Sequence, residues 1–241
     1  MCPLRVEIMT NGYIIANTDF ALKGSTSSLS ETIYQHIVDM ILSLQIKPGE
    51  KISEAKIAKE FNVSRTPIRE ALKKLAHDGI INIYPNRFAR VASYTPDYIK
   101  QIGIVRLSLE TMAVKLAIHN GSNSEFLNLR KYCEQCYKAA SIGDTSSRIK
   151  MDCTFHFELC KISKNQQLID FQREIYFKIE FIQACQNVTF QLPDDQHKDH
   201  EDIVNNLLDR NEEKVTSILI KHCGDFHNII KDYPPNFFYS Y

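Results

Sequence analysis

The stretch from Ile52 to Leu75 constrains this chain more than any other, because it reads as two short helices around a tight turn. Ser53 or Glu54 opens the first helix, Phe61-Asn62-Val63 makes the turn, and Ser64 caps the second, with Thr66 and Pro67 in its opening turn. Ile68, Ala71, Leu72 and Leu75 recur at helical spacing and must pack inward. That turns Arg65, Thr66, Arg69 and Lys73 outward. Upstream, Leu29, Ile33, Ile37, Met40, Ile41 and Leu44 form one apolar stripe, which predicts a helix from Ser28 or Ser30 to about Leu44, ended by Lys47-Pro48-Gly49-Glu50. After Asp78-Gly79, the run from Ile80 to Ala92 has the strand, turn, strand pattern of a β-hairpin wing.

From Thr95 onward everything reads as helix. Thr95-Pro96-Asp97 starts and Asn120-Gly121 stops a helix carrying Ile102, Val105, Leu109, Met112 and Leu116. Further helices are predicted near 124–141, 145–162, 165–187, 196–208 and 212–231, separated by Gly143-Asp144, Ser163-Lys164-Asn165, Leu192-Pro193-Asp194 and Asp209-Arg210-Asn211. Amphipathic helices in such a row imply a bundle. The fold class is therefore mainly α: an N-terminal winged helix-turn-helix with a small β-hairpin wing, followed by an antiparallel all-helical bundle. The expected division is an N-terminal extension over 1–24, the winged unit over 25–94, the helical domain over 95–232 and an aromatic tail over 233–241.

Composition agrees with two globular domains, since 44% of the 241 residues are hydrophobic and 24% charged. No apolar run approaches the roughly 20 residues that span a bilayer, and the start, MCPLRVEIMTNGYII, lacks the pattern of a signal peptide. A cytoplasmic chain with no membrane partner is expected, and its seven cysteines are read as reduced thiols. The zero net charge hides a sign change: residues 25–95 hold ten Lys/Arg against seven Asp/Glu, and residues 96–241 seventeen against twenty.

In a helix-turn-helix the second helix enters the major groove and its N-terminal residues meet base edges. Arg65 and Arg69 share one face, with Thr66 beside them, and arginine bonds guanine in bidentate fashion. An isolated Arg pair is an ordinary solvated feature. Inside a complete helix-turn-helix with a wing it points to DNA. The run Val63-Ser64-Arg65-Thr66-Pro67-Ile68-Arg69-Glu70-Ala71-Leu72 resembles the signature of GntR-type regulators. The resemblance implies Arg65 and Arg69 as DNA contacts, with Ser64, Thr66 and Lys73 on the same face. Arg87 and Arg90 of the wing are expected on phosphates. One departure is Phe88, where the family's wing turn usually carries Gly.

Asp152 and His156 are four apart on a predicted helix, and their side chains can converge on one ion. His200 and His222 each lie eleven residues from Asn211, so an antiparallel hairpin of the last two helices brings them side by side. A lone histidine is usually a core or surface residue. One carboxylate and three imidazoles at consistent positions make an N3O site for a divalent transition metal, zinc foremost, with nickel or manganese as alternatives. His197 ranks second as a ligand. The four positions resemble the FadR-type subgroup with the FCD effector domain, as does Arg106-x-x-x-Glu110, which that resemblance implies lines the effector cavity. An arginine beside a metal suits a carboxylate-bearing small molecule. Cys133-x-x-Cys136 inside a helix reads as a pair of buried thiols.

The expected protein is a homodimeric transcriptional regulator that reads a pseudo-palindromic operator in double-stranded DNA and is modulated by a carboxylate effector. A metal-dependent hydrolase using the same Asp and His residues is the alternative. It needs a general base, for which Glu201 is the one obvious neighbour. A purely structural metal is the third reading.

Overall fold

A computed structural model describes residues 28–84, 88–186, 193–233 and 237–238. The 1–24 extension, Arg87 and most of the aromatic tail therefore lie outside the described residues. In the N-terminal unit α1 runs over Leu29–Leu42, α2 over Glu54–Phe61 and α3 over Arg65–His77. Ser28 caps α1 and Ser53 caps α2 through their side chains, each accepting from the backbone N–H three residues on. Asn62 takes the left-handed conformation (φ 51°) that ends α2, and an asparagine tolerates it. Ser64 stands at the N-cap of α3 without a side-chain capping bond, contrary to its expected role.

Strands β2 (Ile81–Tyr84) and β3 (Phe88–Val91) form the wing hairpin, and β1 (Lys51–Ile52), unforeseen from the sequence, pairs with the other side of β3. Two residues after Pro48-Gly49 are too few for an alternation to be visible. Phe88 opens β3 opposite Tyr84, and their rings stack at 5.0 Å. It thus stiffens the wing from inside the hairpin. Helix α3 is held on α1 by Lys74, which donates to Glu31 at 2.7 Å and lies over the Tyr34 ring, and by Tyr34 donating to Asp78 at 2.8 Å.

The helical domain comprises α4 (Pro96–Asn120), α5 (Asn123–Asn128), α6 (Arg130–Ser141), α7 (Thr145–Ile162), α8 (Gln166–Gln186), α9 (Pro193–Leu208) and α10 (Glu212–Phe226), then a short 3-10 turn at Ile230–Asp232. Thr95, Asp144 and Asn211 cap α4, α7 and α10 as the break residues suggest. The single helix predicted near 124–141 is two, because Leu129 tightens into an i to i−3 bond with Phe126 (3.0 Å). No Gly or Pro marks that break. The predicted helix to 231 ends at Phe226 instead, where Asn228 (φ 53°) closes it. On α4 the apolar series splits, since Ile102 is buried while Val105 and Met112 are 45% and 50% exposed.

One hydrophobic cluster runs without interruption from α1, α3 and the wing into α7 and α8, and a second joins α4, α5, α6, α9 and α10. Lys150 on α7 reaches back to Asp39 on α1 (2.9 Å). At the same seam burial pushes the Glu180 carboxyl of α8 up to about 8, against the pull of Lys150. The folded chain keeps a proton there that the unfolded chain releases near pH 4.5, so stability falls as pH rises between these two values. Glu180→Gln is expected to raise the melting temperature at about pH 8.5 and to change it little near pH 4.5. A difference of equal size at both pH values would mean that the carboxyl titrates normally.

Candidate metal and effector site with a DNA-reading face

The helical period puts Asp152 and His156 on one face of α7, while the turn at Asn211 folds α10 back along α9 and sets His222 beside His200. The four side chains are buried, and one ligand atom from each lies within 4.8 Å of the others. The three imidazole centroids form a nearly regular triangle of 5.3, 5.3 and 5.2 Å sides. His200 Nε2 stands 3.3 Å and His156 Nε2 3.9 Å from Asp152 Oδ1. His222 turns its Nδ1 to Asp199 at 3.2 Å, which leaves Nε2 for the cluster. Phe155 stacks on the His200 ring at 4.3 Å and so supports one of the ligands from behind.

The electrostatics of this pocket suit a cation. Burial alone would raise the Asp152 carboxyl, but the His200 contact and the charges of His156 and His222 outweigh it and hold it well below the usual range. Its oxygens accept from Gln183 (2.6 Å) and Gln196 (2.7 Å), both amides. Burial lowers the His200 imidazole, which keeps a lone pair available. Among the described residues, both ring nitrogens of His200 and Nε2 of His156 are buried without a hydrogen-bond partner. Lone pairs of nitrogen and carboxylate oxygen facing one another in a dry interior repel unless protons or a metal ion lie between them. The donor set therefore fits a divalent transition metal. Asp199 on His222 is the carboxylate behind an imidazole that orients such ligands.

Behind the triangle lies a second network. Arg106, 1% exposed, donates from Nε to Glu110 (2.5 Å) and stands 5.3 Å over the Tyr176 ring. Glu110 also accepts from the Tyr176 hydroxyl and from Cys223, and lies 3.0 Å from His156 Nδ1. Burial opposes its ionisation, but Arg106 and His156 overcome this and hold it below the ordinary carboxylate range. Arg106 and Glu110 thus balance each other, and Nη2 of Arg106 remains buried without a partner among the described residues.

Several predicted residues fall elsewhere. His197 packs against Tyr137, away from the triangle. Cys133 and Cys136 are buried, and burial pushes the Cys133 thiol up to about 12, as suits inert thiols. Glu201 pairs with Arg130 (3.3 Å) and supplies no base to the site. The sequence did not point to Gln183, Gln196, Asp199, Tyr176 or Cys223; of these, Asp199 and Cys223 each lie twelve residues from Asn211 and were open to the hairpin arithmetic that found His200 and His222.

On the other unit, Ser64, Arg65, Thr66 and Lys73 are exposed along one side of α3. Arg69 is 40% exposed and lies 3.3 Å from Glu54, a surface pair of about 0–1 kcal/mol that a base edge can displace. Arg90 is held to the Gly49 carbonyl (2.9 Å) and over Phe88.

These features have counterparts among known proteins. The model of bacterial regulatory proteins of the gntR family matches residues 29–91, and that of the FCD domain matches residues 101–225. The Nta operon transcriptional regulator of Aminobacter aminovorans is 31% identical over 185 residues, covering 76% of this chain and 85% of its own length. The HTH-type transcriptional regulator YdhC of Bacillus subtilis (strain 168) is 28% identical, covering 83% and 91% respectively. The solved structure of E. coli McbR/YncC superposes with a TM-score of 0.69 over 86% of this chain and 99% of that one; at 19% identity it shows the likeness of fold alone.

Removing one member of the buried pair leaves the other charge uncompensated. Glu110→Gln is expected to cost about 3–5 kcal/mol in urea denaturation of the metal-free chain. The double variant Arg106→Met/Glu110→Gln is expected to recover a large part of that loss. Equal losses in both would show that the buried charge is not the cause.

Proposed function

Because this chain belongs to the GntR family of bacterial regulatory proteins, with an FCD domain behind its DNA-binding domain, and is therefore a DNA-binding transcriptional regulator, we propose that a carboxylate effector bound at a metal site in its helical domain modulates operator binding. The observation that carries this reading is the buried triangle of His156, His200 and His222 around Asp152, a negative charge held by amides and imidazoles while Arg106 is occupied by Glu110. Asp152, His156, His200 and His222 would hold the ion, with zinc foremost and nickel or manganese as alternatives. When bound, the metal supplies a Lewis-acidic position for a carboxylate oxygen. Arg106, oriented by Glu110 and Tyr176, offers Nη2 to the same anion.

The DNA face assigned here is Arg65, Thr66 and Arg69 on base edges, with Ser64, Lys73, Arg87 and Arg90 on phosphates. The unit over 25–94 reads DNA and the domain over 95–232 senses the effector. A homodimer presents two such faces to a pseudo-palindromic operator, and the half-exposed apolar series Val105, Leu109, Met112 and Leu116 on α4 supports a second copy packing there. An effector acts by binding two arrangements of the paired heads unequally.

The test combines elemental mass spectrometry with operator selection. Near-stoichiometric metal is expected in the wild type and its loss in His156→Ala and His222→Ala; wild type without metal would remove the reading. On the selected operator Arg65→Ala is expected to cost about 1–3 kcal/mol with relaxed base preference. Lys73→Ala is expected to weaken all DNA sequences evenly, and base-selective loss there would reverse the assignment.

A further inference from the structure

His227 is a buried histidine that the metal triangle does not use. It stands at the C-cap of α10, 1% exposed, and its position is built from both sides. Behind it the helix closes in a Schellman arrangement, with Ile229 N–H on the Gly224 carbonyl (3.0 Å), Asn228 N–H on the Asp225 carbonyl (3.0 Å) and Asn228 in the left-handed conformation. In front of it α4 carries Gly103, where a Cβ would come within 2.4 Å of the His227 Cβ and Cγ. A glycine inside a helix costs about 1 kcal/mol relative to alanine. The close approach of the imidazole to the α4 backbone explains why one stands here.

The protonation pattern of this ring follows from its neighbours. Nδ1 lies 3.2 Å from the carbonyl oxygen of Ile99, which can only accept, so Nδ1 carries the proton. Burial, then the positive charge of Arg106, lower its pKa to about 3, so the ring is neutral and Nε2 presents a lone pair. Among the described residues that Nε2 is buried with no partner, and so is Nη2 of Arg106. Ile99, Gly103, Arg106 and Glu110 follow one another along one stripe of α4. An orphaned acceptor and an orphaned donor therefore stand along the same helix stripe. Leaving a buried polar group unpaired costs about 1–3 kcal/mol, a penalty that a ligand can relieve.

We infer that His227 is a specificity-determining residue of the effector site, whose Nε2 accepts a hydrogen bond from a hydroxyl group of an effector that places its carboxylate on Arg106, so that the effector class is hydroxy-carboxylates. This rests on the effector reading above. The group that meets Nε2 must donate, which excludes a keto oxygen. It must also be uncharged, because taking an ammonium group out of water costs far more than one imidazole acceptor returns. A hydroxyl meets both conditions.

The test is calorimetry of the full-length, metal-loaded protein with sets of three- and four-carbon acids identical but for one substituent: hydrogen, hydroxyl at C2 or C3, oxo or ammonium. At least one hydroxy acid is expected to bind about tenfold or more tightly than its deoxy, oxo and amino counterparts. His227→Asn keeps a donor for the Ile99 carbonyl, and its shorter side chain leaves no acceptor at the position of Nε2. It is expected to bring that ratio within about twofold while leaving metal content and deoxy-acid affinity unchanged. In the wild type, the nitrogen resonance of His227 Nε2 is expected to shift with the hydroxy acid and not with the deoxy acid, a readout that needs no variant. Carboxylates bound without hydroxyl preference, or a preference retained in His227→Asn, would overturn this inference alone. Binding of no acid by the metal-loaded protein would overturn the carboxylate reading and this inference with it.

Discussion

Glu110 ties four helices together through two oxygen atoms. Arg106 reaches it from its own helix, Tyr176 from α8, His156 from α7 and Cys223 from α10. A carboxylate in so dry a place stays ionised only while those partners surround it, which holds the helices in one register. The histidine triangle depends on that register, because His156 is at once a partner of Glu110 and a corner of the triangle. What the pair contributes is arrangement more than net stability, since two buried charges lose in desolvation much of what they gain by attraction.

The same helices that build the site also touch the DNA-binding unit. Asp152 on α7 accepts from Gln183 on α8, and within a turn of each stand Lys150, bound to Asp39 of α1, and Glu180, buried at the seam with α1. The hydrophobic cluster around them is continuous with the core under the recognition helix. A shift of α7 or α8 at the candidate metal site is therefore a shift of the floor on which α1 rests, and α1 holds α3 through Glu31, Tyr34 and Asp78.

Much of this was legible in the residues themselves. The starts of α2, α4, α7 and α10 are marked by Ser53, Thr95, Asp144 and Asn211, each a short polar side chain whose oxygen meets a free backbone N–H. The ligand quartet was legible because i, i+4 spacing and equal distances from a turn are arithmetic on a helical lattice. The break at Leu129, the two-residue strand β1 and the exposure of Val105 and Met112 were not. None has a local marker: the first is a tightened hydrogen bond, the second a pairing of Lys51 with the distant Arg90, the third a choice of which face of α4 meets the bundle.

Capping, periodicity and the basic face of α3 are properties of neighbouring residues, so the sequence by itself determined the helices, the wing and the candidate ligands. Only the tertiary structure decided that Gln183 and Gln196 hold Asp152, that Arg106 is balanced by Glu110, and that His227 turns an unused lone pair inward beside Gly103. Apart from the Arg106–Glu110 pair, four residues apart on α4, those relations join residues 31 to 128 positions apart. Burial is what gives them consequence, because the energy of a polar atom depends on whether water can reach it, and water access is set by packing that no local spacing records.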